Sequence, residues 1–172
     1  MSRGQPFRLA SGGVIRRDRP LGFRFNGREY QGYEGDTLAS ALLANGVSVV
    51  GRSFKYARPR GIVAAGPEEP NAVLQLGTTE AGQIPNVRAT EQMLYQGLQA
   101  RSTKGWPSLQ WDAMGLFGQL AGRFMPVGFY YKTFMQPASQ WPRYERMIRA
   151  LAGLGRAPKE PDPDLYDHMH RH

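Results

Sequence analysis

Residues 21 to 46 read LGFRFNGREYQGYEGDTLASALLANG, and the fold turns on them. Apolar and polar residues alternate on both sides of Asn26-Gly27, and Asn-Gly supplies the two positive-φ positions that a type I′ hairpin turn requires. The segment after it changes period. Asp36 or Thr37 can cap free amides, Leu38, Ala41 and Leu42 form an apolar stripe at helical spacing, and Gly46 ends the helix in the left-handed region. A hairpin followed at once by a short helix predicts an α+β unit.

Further along, VSVV (47–50) is β-branched and short, as a buried strand would be, and runs into the basic stretch GRSFKYARPRGI (51–62). The turn-rich AAGPEEP leads to a second strand candidate, NAVLQL (71–76). NVRATEQMLYQGLQAR (86–101) supports two readings, since Thr90-Glu91 resembles a helix start while Gly97 breaks any long helix near its middle. On the N-terminal side, residues 1–20 show no sustained period and read as an arm, with order beginning at Leu21. After Trp106-Pro107 the composition shifts to a loosely amphipathic DAMGLFGQLAGRF, an aromatic connector PVGFYYKTFMQP and the clearest helix, PRYERMIRALAGLG. There Ser139 or Gln140 can cap, Pro142 sits near the first turn, and Tyr144, Met147, Ile148 and Leu151 fall on one face. The tail, APKEPDPDLYDHMHRH, reads as a Pro-rich charged linker.

Composition excludes several chemistries. Among 172 residues there is no Cys, so disulfides, thiolate metal sites and cysteine-ligated iron-sulfur clusters are ruled out. The three His are His168, His170 and His172, all in the tail, so no Ser/His/Asp triad or other acid/base carrier can be argued and no catalytic or metal-binding residue is assigned. Gly153-Leu154-Gly155-Arg156 resembles a dinucleotide fingerprint only superficially; with Pro158 in place of the third Gly it reads as a helix stop. No stretch has the apolar length of a secretory leader or a membrane span, so a soluble cytoplasmic chain is expected.

The net charge of +8 directs attention to residues 51–62. Arg52, Lys55, Arg58 and Arg60 crowd together with Ser53, Phe54 and Tyr56, flanked by Gly51 and Gly61 that let backbone approach a ligand and stiffened by Pro59. Guanidinium groups bind phosphate bidentately and stack on rings, so the loop suits a phosphorylated aromatic cofactor, a single-stranded nucleic acid or an acidic protein face. The plainer alternative is a solvated loop whose Arg residues pair with Glu68 and Glu69. Phe129, Tyr130, Tyr131, Lys132 and Phe134 form a second cluster that must pack inward or dock on a neighbour.

The order GFRFNGREYQGYEGDTLASALLANGV, VVGRSFKYARPRGI, AGPEEPNA, PNVRATEQMLYQGLQARS, WPSL, PVGFYYKTF resembles the N-terminal region of the alpha subunit of heterotetrameric sarcosine oxidases, from about Leu21 to Leu154. The resemblance implies an α+β, β-grasp (2Fe-2S ferredoxin-like) domain without a cluster, followed by a helical extension. It implies an arm over 1–20, the β-grasp domain over 21–104, the extension with its aromatic connector over 105–157, and a linker over 158–172 toward a nucleotide-binding domain. In ferredoxin relatives the segment after the first helix carries the cluster cysteines; here that segment is GRSFKYARPRG, refilled with cations. On the same ground ATEQMLYQGLQA (89–100) reads as a last hairpin turning at Tyr95-Gln96-Gly97.

For function, the resemblance implies a noncatalytic part of an enzyme that oxidatively demethylates sarcosine to glycine. The one-carbon unit goes to tetrahydrofolate or leaves as formaldehyde, with hydrogen peroxide formed. FAD, NAD and tetrahydrofolate are expected elsewhere in that complex. FMN is expected near Arg52, Ser53, Lys55, Arg58 and Arg60, and the partners are the rest of the alpha subunit and the beta, gamma and delta subunits. The alternatives are a docking domain of another secondary-amine or opine oxidase, and a basic nucleic-acid-binding module. Against the last, the aromatics do not recur with the cations along a sheet face.

Overall fold

A computed structural model describes residues 4–53, 57–79, 81–103, 109, 138–152 and 154–161. Strand β1 (Arg16–Phe25) turns through Asn26 (φ 49°) and Gly27 (φ 78°) into β2 (Arg28–Glu34), with Phe25 opposite Arg28. Both turn residues lie in the left-handed region, which is why Asn-Gly specifies this hairpin. β1 starts five residues before Leu21, inside the stretch that lacks any sequence period. Its pairing is irregular between Arg16 and Pro20, where Pro20 has no amide to give to a ladder.

Helix α1 (Leu38–Ala44) follows, opened by a capping box in which Thr37 Oγ1 accepts the Ser40 amide and Ser40 Oγ accepts the Thr37 amide. Leu38, Ala41 and Leu42 are fully buried against Phe23, Phe25, Leu74, Leu94 and Leu98. Gly32 makes the close helix-to-sheet approach possible: a Cβ there would collide with Leu94 Cδ2 and lie 3.1 Å from Ala41 Cβ. Gly46 (φ 78°) ends the helix as its sequence position requires.

The VSVV run is not a strand. Val50 is buried and its amide bonds Arg60 O at 2.9 Å, but regular pairing starts one residue later, in the short antiparallel pair β3 (Gly51–Arg52) and β4 (Pro59–Arg60). The main sheet continues with β5 (Val73–Leu76), β6 (Ile84–Arg88) and β7 (Gln99–Ser102), in the order β2-β1-β7-β5-β6. It is mixed: β1 and β7 run parallel, and the other neighbours are antiparallel.

Residues 89–100 form neither a helix nor a hairpin. Met93 makes a single bridge to Thr37 and the Leu94 amide bonds Asp36 O at 2.8 Å, so this stretch is tied to the start of α1. Gly97 (φ 81°) then swings the chain so that β7 inserts between β1 and β5. The local turn is where the sequence puts it, but the strand's partners are distant, and a sequence period cannot name them.

The N-terminal arm is bound to this core. Gln5 Nε2 donates to Gln31 O (2.7 Å), the Phe7 amide to Ala44 O (3.2 Å), and Arg8 makes a bidentate pair with Asp36 at 2.8 and 2.7 Å while lying over the Tyr33 ring. Towards the other end, a 3-10 turn (Ala138–Gln140) leads into α2 (Trp141–Ala152). The segment after α2 packs on the sheet: Gln75 exchanges two hydrogen bonds with Arg156, and Gly155 donates to Asn86 Oδ1 at 2.9 Å. The expected helix stop at 153–156 therefore doubles as a docking point. Among the described residues, no helix is long and apolar enough to cross a membrane. The amphipathic segment and aromatic connector before α2 lie outside the described residues.

Candidate cofactor-facing loop

The basic stretch is organised by β3 and β4. The Ser53 amide donates to Arg58 O (2.9 Å), the Arg58 amide returns a bond to Ser53 Oγ (2.9 Å), and the Ala57 amide reaches Ser53 O (3.1 Å). Ala57 takes φ 48° to close the turn. Arg52, half-buried, braces it from behind: Nη1 donates to Ala57 O at 2.7 Å and Nε to Leu109 O at 2.6 Å. Two of the five predicted site residues, Arg52 and Ser53, thus build the loop. Arg58 and Arg60 are exposed, with Arg60 Nη1 3.4 Å from Asn71 Oδ1. Lys55, Phe54 and Tyr56 lie outside the described residues.

The flanking glycines serve packing. A Cβ on Gly61 would fall 2.7 Å from Ser48 O, so Gly61 lets the hairpin lie against the 47–50 segment rather than against a ligand. Beside this hairpin, Arg52, Pro59, Val47, Val49, Arg28 and Tyr30 line part of an open groove of about 1450 Å³.

The loop's proposed acidic neighbours divide. Glu68 accepts the Gly66 amide at 3.1 Å, in a tight turn. Glu69 is 1% exposed and faces inward. Its Oε2 accepts the Val63 and Ala64 amides, both at 2.7 Å, and its Oε1 accepts those of Asn71 (2.7 Å) and Ala72 (3.1 Å). Burial pushes its carboxyl pKa up, but the surrounding amides outweigh that and hold it below the usual carboxylate value. Adjacent glutamates in a Gly-Pro turn look alike in sequence, so nothing there marks Glu69 as a core residue.

Asp36 is the second buried carboxylate, also 1% exposed. Burial again raises its pKa, and the hydrogen bonds from Arg8, Ser40 Oγ (2.7 Å) and the Tyr33 amide (2.9 Å) lower it further than burial raises it. Neither carboxylate is poised for proton transfer, since both are held ionised by saturated partners. Among the described residues no group of three or more His, Asp or Glu is arranged to hold a metal ion.

A mixed sheet of this order, packed on one helix and carrying a long loop between helix and sheet, belongs with ferredoxin-type domains. A family model described as a 2Fe-2S iron-sulfur cluster binding domain matches residues 18–105, and the chain belongs to that family. More particularly, the chain is homologous to the N-terminal region of sarcosine oxidase subunit alpha. It is 54% identical to that subunit of Rhizobium meliloti (strain 1021) over 167 residues, 96% of this chain and 17% of the relative. To the subunit of Corynebacterium sp. (strain U-96) it is 38% identical over 109 residues, 61% of this chain and 11% of the relative. The chain therefore spans less than a fifth of the length of these relatives. A solved structure of L-proline dehydrogenase from P. horikoshii matches 50% of this chain and 16% of its own at 24% identity, with a TM-score of 0.37.

Cysteine thiolates hold [2Fe-2S] clusters of the plant type, and this chain has none, so a cysteine-ligated cluster does not fit.

Proposed function

We propose that this chain is the N-terminal β-grasp domain of a sarcosine-oxidase-type flavoenzyme, contributing assembly and a cationic surface beside a flavin, with no chemistry of its own. The observation that carries the reading is the 54% identity sustained over 96% of the chain. The sheet order β2-β1-β7-β5-β6 with α1 packed on it supports the β-grasp assignment. In this reading the parent complex demethylates sarcosine to glycine using FAD, FMN, NAD and tetrahydrofolate held by its other parts.

The loop's division of labour sharpens the role of each cation. Arg52 and Ser53 shape the turn, Arg58 and Arg60 are exposed on it, and we assign these two, together with Lys55 of the same basic stretch, to a flavin phosphate or to the anionic reduced ring. A guanidinium beside either would stabilise it through charge-assisted hydrogen bonds. In the complete complex, Arg58→Ala and Arg60→Ala should lower bound FMN or move its reduction potential. Wild-type flavin content, potential and turnover in both would reject the flavin-proximal role.

One observation favours a second, purely docking role: the Arg52 bond to Leu109 O ties the loop to chain beyond the family match. That reading expects subunit loss on size-exclusion chromatography with an unchanged flavin spectrum.

A further inference from the structure

The residues around Glu69 have a spacing that the missing cluster explains. Plant-type [2Fe-2S] proteins draw ligands from a Cys-x4-Cys-x2-Cys run and a distant fourth position, and amides of that run donate to the cluster sulfurs. Ala64, Glu69 and Ala72 stand at this spacing. The amides of Ala64 and Ala72 both point at the Glu69 carboxylate, joined by those of Val63 and Asn71. A fourth position closes on the same loop: Thr90 Oγ1 donates to Gly66 O at 2.8 Å, and the Ala89 amide bonds Ala72 O at 2.9 Å. Thr90, Glu69 and Ala72 are all buried, and none of them belongs to the basic hairpin.

We infer that residues 63–72 with Thr90 are the family's cluster cradle, and that the Glu69 carboxylate occupies it as a built-in anion. A carboxylate and a tetrathiolate [2Fe-2S]²⁺ centre are both anionic, so either can satisfy converging backbone amides. The cradle thus lies downstream of GRSFKYARPRG, the segment that the resemblance alone would designate. β3 and β4 pair Gly51–Arg52 of that earlier stretch with Pro59–Arg60, and none of these four residues donates to the Glu69 carboxylate in the bonds above.

The inference is tested by returning thiolates to the four positions. The full chain carrying Ala64→Cys, Glu69→Cys, Ala72→Cys and Thr90→Cys is refolded anaerobically with ferric iron and sulfide. Two Fe³⁺, two S²⁻ and four thiolates, after loss of four thiol protons, give a centre of net charge −2 with no change of oxidation state. Expected are visible charge-transfer absorption, iron and acid-labile sulfide in equal amounts, and an electron paramagnetic resonance signal after one-electron reduction. Cluster binding is coupled to folding, so a variant unfolded without metal should gain circular dichroism and absorption together. A control with Val63→Cys, Glu68→Cys, Asn71→Cys and Ala89→Cys shifts the register by one and should hold no cluster. Failure of the first variant to bind, or equal binding by the control, would overturn the inference.

Discussion

The Arg8–Asp36 ion pair should measurably stabilise this chain. Its two bonds measure 2.7 and 2.8 Å, the Asp36 side chain has no exposure and that of Arg8 only 15%. Among the described residues, replacing Arg8 with Ala leaves the buried carboxylate with Ser40 Oγ and the Tyr33 amide as its remaining donors. Breaking a buried pair from one side costs about 3–5 kcal/mol, and because the arm is superficial enough to admit water we expect about 2–3. With a urea m-value of about 2 kcal/mol/M, the midpoint should fall by roughly 1–1.5 M.

A double-mutant cycle with Asp36→Asn isolates the coupling, which should reach about 2 kcal/mol. Arg24–Glu29 serves as an internal control: it is 55% and 74% exposed and should couple by no more than about 0.5 kcal/mol. The pH dependence has a definite sign. The Asp36 pKa is lowered on folding, so its contribution is full above the unfolded value near 3.8 and disappears as pH falls through the folded one. Equal couplings for the two pairs at pH 7, or an Arg8→Ala loss unchanged as pH drops below about 4, would refute the reasoning.

Two further outcomes follow from the geometry of single residues. Gly32→Ala forces a methyl into Leu94 and Ala41 and should cost about 1–3 kcal/mol in chemical denaturation, with Leu94→Ala as a second-site change recovering part of it. Gly27→Ala, at φ 78° in open space, should cost about 1 kcal/mol from backbone strain alone, visible as a small drop in thermal midpoint without loss of native circular dichroism.

How much of this was legible in sequence depended on whether the cause was local. The Asn26-Gly27 hairpin, the Thr37 cap and the Gly46 stop act within a few residues, and each appears where the residue types place it. β7 is a strand, as the resemblance implies, but the sequence does not reveal that its pairing is no hairpin, because its partners, β1 and β5, are set by the whole sheet. The arm looked unstructured because Arg8 gains meaning only from Asp36 across the fold. At the candidate site the charge of the loop was plain. The inward commitment of Arg52 was not, because a cation's partner can be a carbonyl such as Leu109 O, which carries no sequence mark. Glu69 was hidden for the same reason, with four peptide amides as its partners.

The parallel contact of Arg24 with Gln99 and Phe25 with Ala100 bears on how the chain emerges from a ribosome. The opening ribbon is complete once Glu34 has been made, yet its inner neighbour is about 65 residues behind. At about 5–20 residues per second that interval lasts on the order of 3–13 s. Throughout it Phe23 and Phe25 have no finished interior to enter, so this nascent hairpin is a natural client for a chaperone that recognises short aromatic segments.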